Sequence, residues 1–314
     1  MKFTEIAQEY LMYISAKSKP QSIRSIKSRI DNYIIPYFEN YNIQDINQKE
    51  YLNWQNKIDK FNFSYKYKKS LHYTMVTIFN YAIKFYNYDN NIPSKVGNFN
   101  NCFDIPKEIN IWSYDEFKKF IETVETIKIT DNDIIYKVLY CFMYFTGCRL
   151  GECLALTFED IKDNIVSINK TITKEHINGK RQITTPKTKK SIRKIHIDNL
   201  LINDIKVLRE HYSKNNNDFQ ENYYVFGGKN PLSPTTIERR KNYYCNISGV
   251  KKIRLHDFRH SHASILLSNN VPISVISERL GHSDISTTMN VYIHLIPRDE
   301  EKVLTAINTL RIAN

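Results

Sequence analysis

The sequence predicts two domains: an all-helical first one, and a mixed α+β second one that is mostly helical with a small antiparallel sheet. Three observations carry this. The chain has 314 residues, and domains commonly span about 100–200. Residues 1–90 show only the helical spacing of apolar side chains. After an Asn-rich break, stretches that alternate apolar with polar residues appear between helical ones.

Phe3, Ile6, Ala7, Tyr10, Leu11 and Ile14 recur at the spacing of one buried helical face. Ile23, Ile26, Ile30, Tyr33, Ile34 and Tyr37 repeat the pattern. Tyr51, Leu52, Trp54 and Ile58 mark a shorter third helix, and Tyr67, Leu71, Met75, Ile78, Ala82 and Phe85 a longer fourth. Together they predict a small bundle over residues 1–90. The stretch NYDNNIPSKVGNFNNCFDIPKEIN then reads as a linker, assigned to 91–112. Ser113 and Glu116 have the spacing of a capping box, so structure resumes there.

The second domain is assigned to 113–298. DIIYKVLYCFMYF predicts a strongly apolar helix closed by Gly147. IVSINKTITK and RQITTPKTKKSIRKIHI are rich in β-branched residues and predict two strands, joined by a hairpin turn at Asn178-Gly179. Helical patterns return at NLLINDIKVLREHY and from Leu255 onward. In residues 299–314, Val303, Leu304, Ile307 and Leu310 form the apolar stripe of a terminal helix.

Composition narrows the function. Apolar residues make up 41% of the chain, enough for ordinary cores. No apolar run reaches the roughly 18 residues of a membrane span, and the N-terminus lacks the apolar block of a secretory signal. Cys102, Cys141, Cys148, Cys153 and Cys245 form no C-x-x-C pair, which predicts buried, reduced thiols in a cytoplasmic protein. Lys and Arg total 45 against 33 Asp and Glu, a net +12. Residues 1–100 hold 14 basic and 8 acidic side chains and the rest 31 and 25, so each part is net +6. A basic excess spread this way points to a polyanion, most often nucleic acid, and if that is DNA both parts touch it. Lys66, Lys68 and Lys69 are the expected contacts in the first domain, and Lys189, Lys190 and Arg193 in the second.

Four clusters in the second domain can carry chemistry. TGCRLGE places Arg149 after a glycine, with Glu152 three residues on. From Lys180 to Lys194 there are seven basic residues and no acid. In LHDFRHSHAS, His256 and Arg259 stand three apart and share a helical face. In LGHSDISTTMNVYIH, His282 precedes Tyr292 by ten positions. Each alone is commonly structural: a surface arginine, a solvated hairpin, a core tyrosine. His256, His260 and His262 lack the companions of a zinc set, so no metal is expected. Together the clusters share a logic. Two guanidinium forks grip phosphate oxygens, two histidines bind phosphate or move a proton, a lysine reaches a leaving oxygen, and a tyrosine is a nucleophile.

On these residues the chain resembles the tyrosine recombinase, or phage integrase, family over nearly its whole length, and looks most like integrases of phages and conjugative elements of Gram-positive bacteria. Arg149, His256-Asp257-Phe258-Arg259, Gly281-His282 and Tyr292 match the family's motifs; Lys187 is the best match for the hairpin lysine, with Lys189 and Lys190 close by. The resemblance implies a SAM-like helical core-binding domain, a catalytic domain, and cleavage through a 3′-phosphotyrosine with no metal or other cofactor. It assigns Arg149, Lys187, His256, Arg259, His282 and Tyr292 to catalysis, and Glu152 to supporting them. It further implies a tetramer on recombination sites, a C-terminal helix docking on a neighbouring subunit, and helpers such as a directionality factor (excisionase) and a host DNA-bending protein. A Xer-type resolvase, an invertase, a type IB topoisomerase and a silent DNA-binding regulator are the alternatives. Many such integrases carry a further arm-binding domain; with a first helix starting by Phe3, the sequence as read lacks it or has lost it.

Overall fold

The computed structural model describes residues 1–18, 20–100, 110–127, 130, 132–177, 180–186, 189–281, 285 and 289. The chain divides into two compact units, Met1–Lys107 and Glu108–Asn314.

In the first unit the apolar spacing produces α1 (Phe3–Ser15), α2 (Pro20–Arg29), α3 (Ile35–Phe38), α4 (Gln48–Asp59), α5 (Tyr65–Tyr86) and α6 (Ile92–Val96). The single helix expected over Ile23–Tyr37 is loosened by a π-helical turn at Ile30–Ile34. Pro36 explains it, because the ring removes one N–H and crowds the carbonyl four residues back. Phe3, Phe38, Trp54 and Phe79 are fully buried at the centre. Trp54 keeps its one donor satisfied by bonding the Tyr33 carbonyl at 2.9 Å.

The stretch read as a linker is partly structured. Asn91 caps α6 by accepting from the Ser94 N–H at 3.0 Å, and Pro93 sits in the first turn, where a missing N–H costs nothing. The helix packs on α4 and α5. Gln55 donates to the Gly97 carbonyl at 3.0 Å, and Phe99 packs on Trp54 with ring centres 5.9 Å apart. The first core therefore continues past residue 90.

The second unit begins its core at Trp112, one residue before the expected Ser113. Trp112 is fully buried against Phe120 and Phe258. The capping box opens α7 (Tyr114–Thr126). Ser113 N–H meets Glu116 Oε2 at 2.9 Å and Glu116 N–H meets Ser113 Oγ at 3.2 Å. The apolar α8 (Asp133–Thr146) is buried on nearly every side and stops at Gly147. Then follow α9 (Leu150–Ala155), β1 (Ile161–Lys162), β2 (Ile165–Ile168), β3 (Thr171–Ile177), β4 (Lys180–Thr184), β5 (Arg193–His196), α10 (Asn199–Asn215), α11 (Pro234–Ser248), α12 (Asp257–Ser268) and α13 (Ile273–Leu280).

The expected pair of long strands is corrected. Each of the two stretches is divided between two sheets, an antiparallel β1-β2-β5 sheet and a β3-β4 ribbon. The register explains the division: Val166 pairs with Ile195 and Ile168 with Arg193. This places one face of β2 and β5 in the core, while β3-β4 continues past the break at Asn169-Lys170. The turn expected at Asn178-Gly179 lies outside the described residues. Among the described residues no helix is long and apolar enough to cross a membrane.

Asp133 opens α8 while only 4% exposed. Arg240 pairs with it, and it accepts from the Thr130 N–H and hydroxyl at 3.0 and 2.9 Å. Removing one partner of such a pair strands a buried charge. Asp133→Ala should lower the unfolding free energy by about 3 kcal/mol in urea titrations; a loss below about 1 kcal/mol would show that the pair is solvated.

Candidate active site

The left-handed conformation of Gly147, φ +66°, turns the chain sharply from α8 into α9. A Cβ there would lie 2.6 Å from Leu280 Cδ2 and 2.7 Å from His262 Cδ2, so this corner needs glycine for both its angle and its space. The turn delivers Arg149 to the N-cap position of α9.

Glu152, one helical turn later and 3% exposed, holds Arg149 twice. Its Oε2 accepts the Arg149 backbone N–H at 2.9 Å and its Oε1 accepts Nη1 at 2.9 Å. The Arg149 side chain stays 37% exposed, fixed at one edge and open at the other. Burial pushes the Glu152 carboxyl up, but hydrogen bonds and charge from Arg193, then Arg149, hold it below its ordinary value.

Arg259 lies on α12, 2% exposed. Its guanidinium donates to two helix-end carbonyls, from Nη1 to Gly147 O at 2.9 Å and from Nη2 to Leu280 O at 2.7 Å. Among the described residues it forms no ion pair. Burial, then the nearby charge of Arg149, pushes it down to about 9, so it remains charged at neutral pH. A buried cation with no ion-pair partner among the described residues, beside a second arginine, leaves the cluster with uncompensated positive charge.

His256 precedes α12 as its N-cap rather than lying within it. Its ring meets His260 edge-on at 5.1 Å. Desolvation against the surrounding protein, then the charges of His260, Arg259 and Arg149, pushes it down to about 4. His256 is itself exposed to solvent, and the positive charges around it oppose its protonation. An arriving anion would reverse it. Arg254 and Asp257, bridged at 2.7 Å, brace the loop before α12.

His262, singled out with His256 and His260 for a metal, is structural. Its Nδ1 bonds the Tyr144 carbonyl at 2.9 Å and must carry the proton. Its Nε2 then accepts from Arg279 Nε at 3.2 Å. Both ring nitrogens are used, in one neutral tautomer. Arg279 also donates to His196 O and Phe145 O, which ties α13 to β5 and α8.

The structure thus brings together Arg149, Glu152, His256 and Arg259. Lys187, His282 and Tyr292 lie outside the described residues, as do the Lys189 side chain and the terminal helix expected at 299–314. Lys190 is exposed. Arg193 is corrected: expected to face DNA, its side chain is 6% exposed and pairs with Glu152. The signal was available, since period-two alternation puts Arg193 on the same face as Ile195 and Ile197. In the first unit Lys66 is exposed. Lys68 is paired with Asp59 at 2.6 Å, and Lys69 lies over the Tyr73 ring. Sequence reasoning also missed a groove of about 1010 Å³ along α11, lined by Arg181, Arg239, Asn242, Tyr243 and Asn246 among others. Arg239, Asn242 and Asn246 follow helical spacing there.

Residues 112–298 match the family described as the phage integrase family, and residues 2–58 match the phage integrase N-terminal SAM-like domain. The ICEBs1 integrase of Bacillus subtilis (strain 168) is 29% identical over 99% of this chain and 83% of its own length. The integrase of Staphylococcus phage L54a is 27% identical over 96% and 91% respectively. The fold is similar to that of a Tn1549 transposon integrase solved with transposon right end DNA, with a TM-score of 0.73 and 16% identity over 98% and 99% of the two chains.

His262 makes stability depend on pH. Burial lowers its pKa to about 3, with the charge of Arg279 adding to the effect. The unfolded state, near 6.5, binds the proton first, so stability is complete above about pH 6.5 and falls as pH drops towards 3. The limiting slope is about 1.4 kcal/mol per pH unit. In urea titrations, His262→Asn should lose about 1–2 kcal/mol less than the wild type between pH 7 and 5. An identical loss would mean that His262 is not buried neutral.

Proposed function

This chain belongs to the phage integrase family, a tyrosine recombinase that cuts and rejoins DNA at specific sites, and on that premise we propose that it integrates and excises a mobile element. The single observation that carries the site assignment is the arginine pair: Arg259 buried with no ion-pair partner among the described residues, beside a half-open Arg149 held by Glu152.

The scissile phosphate sits between the two forks, which neutralise the charge that grows on its oxygens in the transition state. His256, neutral until the phosphate arrives, donates to a phosphate oxygen or moves a proton. His282 binds a second oxygen. The Tyr292 hydroxyl gives its proton to neutral His256 as it attacks phosphorus and forms a 3′-phosphotyrosine, while Lys187 gives a proton to the departing 5′-oxygen. A 5′-hydroxyl from the partner strand then attacks the phosphotyrosine and releases the tyrosine. The bond energy is conserved in the protein–DNA link, so the exchange requires no nucleotide hydrolysis.

Exchange between two duplexes cuts four strands. With one tyrosine per chain, this calls for a tetramer, and the stripe from Val303 to Leu310 is a means of joining neighbours. The basic excess of both units supports phosphate contacts along the duplex, whose affinity falls steeply with salt. Arginine and asparagine on the exposed side of α11 are the residue types that read guanine and adenine edges. Direction is set by a partner such as an excisionase and by DNA bending from a host protein. The protein acts where the DNA is, in the bacterial cytoplasm.

A suicide substrate carrying the recombination site tests the nucleophile. Wild type should accumulate a covalent complex on denaturing gels and Tyr292→Phe should not; an adduct with the phenylalanine variant assigns the attack elsewhere. Arg149→Lys should bind site DNA nearly as well while cleaving about 100-fold more slowly or worse. A parallel loss of binding would make Arg149 a binding residue only.

A further inference from the structure

We propose that Arg193 is a positioning residue for strand cleavage: one buried guanidinium fixes Glu152, and through it Arg149, while pinning the end of α13 to the same point. The proposal rests on the reading of Arg149 as a phosphate ligand.

The geometry is specific to a planar fork. Arg193 Nη2 donates to Glu152 Oε2 at 2.9 Å and Nη1 to Oε1 at 3.2 Å. These are the two oxygens that hold the Arg149 backbone and guanidinium, so each carboxylate oxygen bridges both arginines. The remaining contacts reach other segments. Nε donates to the Arg279 carbonyl in the last turn of α13 at 2.8 Å, and Nη1 to Ser191 O at 3.1 Å. Nη2 also meets Cys148 Sγ at 3.7 Å. Arg193 Cδ packs 3.0 Å from where a Cβ would stand on Gly281, so the left-handed residue that ends α13 lies directly on this side chain.

Three pieces of the site therefore converge on one group: the loop of Arg149, the strand that follows the basic hairpin, and the helix end that leads to His282. At 6% side-chain exposure Arg193 has no room to bind DNA. Its charge is spent inside, and a single ammonium could not reach Glu152 and the α13 carbonyl together. Without it, Glu152 is left in a buried place. The groups facing Glu152 are then Arg149, Cys148, Cys153 and Arg259, and Glu152 takes up a proton more readily. A neutral Glu152 holds Arg149 less firmly, and a displaced fork costs rate more than binding.

The test uses the full chain, a suicide DNA substrate at saturating protein, and single-turnover cleavage between pH 5.5 and 8.5, with DNA affinity and thermal melting measured in parallel. Arg193→Met should retain DNA affinity within a few-fold and cleave about 10- to 100-fold more slowly at pH 6. Its deficit against wild type should shrink as pH rises. In the Arg193→Met, Glu152→Gln double variant the deficit should no longer depend on pH, because the group that titrates is gone. A deficit in Arg193→Met that is the same at every pH, or a wild-type rate, overturns the proposal. Should Arg193→Met fail to fold, Arg193→Lys carries the comparison. A slower rate with retained affinity supports the role of the fork, and a wild-type rate refutes it. Arg149→Lys separates the two readings: wild-type cleavage by that variant removes the phosphate-ligand reading itself. If Arg149→Lys is inactive while Arg193→Met behaves as wild type, only the positioning role fails.

Discussion

Three guanidinium groups and one carboxylate meet at the centre of the second unit, and the carboxylate makes the meeting tolerable. Arg149, Arg193 and Arg259 would repel one another in a poorly hydrated interior. Glu152 stabilises two of them by direct bonds and the third at longer range. The cluster still keeps an excess of positive charge. Arg259 satisfies its donors on neutral carbonyls, which orient the guanidinium without cancelling its charge. On the proposed function, that residual field is the chemical content of the site, because it would stabilise negative charge that forms beside it with no rearrangement.

The backbone supports this arrangement at two points. Helix C-termini expose carbonyls that need donors, and both α8 and α13 end in a left-handed glycine. The carbonyls that flank these turns, Gly147 O and Leu280 O, are those that receive Arg259. The helix ends thus obtain donors and Arg259 obtains orientation from the same two bonds, and the negative ends of the two helix dipoles lie near the buried cation. His262 and Arg279 lock the same two helices together from the side.

Much of this was legible in the sequence, for identifiable reasons. Helices with a clean apolar face, such as α1 and α5, and the capped start of α7 follow from spacing and caps alone. That Arg149, Glu152, His256 and Arg259 belong to one cluster followed from residue type and order. What was not legible depended on partners distant in sequence. Val166, Ile168 and Ile172 of IVSINKTITK keep one period-two register across Asn169-Lys170, and only the pairing of Val166 with Ile195 and Ile168 with Arg193 shows where one strand ends and the next begins. The short α6 was hidden because its Asn and Pro also signal a loop. Arg193 was misread because a basic run suggests a solvated face, although the alternation in RKIHI pointed the side chain inward.

The net excess counts every cation alike, yet Arg193, Arg240 and Lys241 are committed internally to carboxylates or carbonyls. Arg259 is equally buried but is not neutralised. The desolvation of Arg259 is therefore already met by the fold, whereas the Arg149 side chain remains partly in water. On the proposed function, one fork is fixed and charged in advance and the other closes on the phosphate. A site built this way holds its charge in place without rigidly enclosing the substrate, as required for a duplex that must enter, be cut, exchange strands and leave.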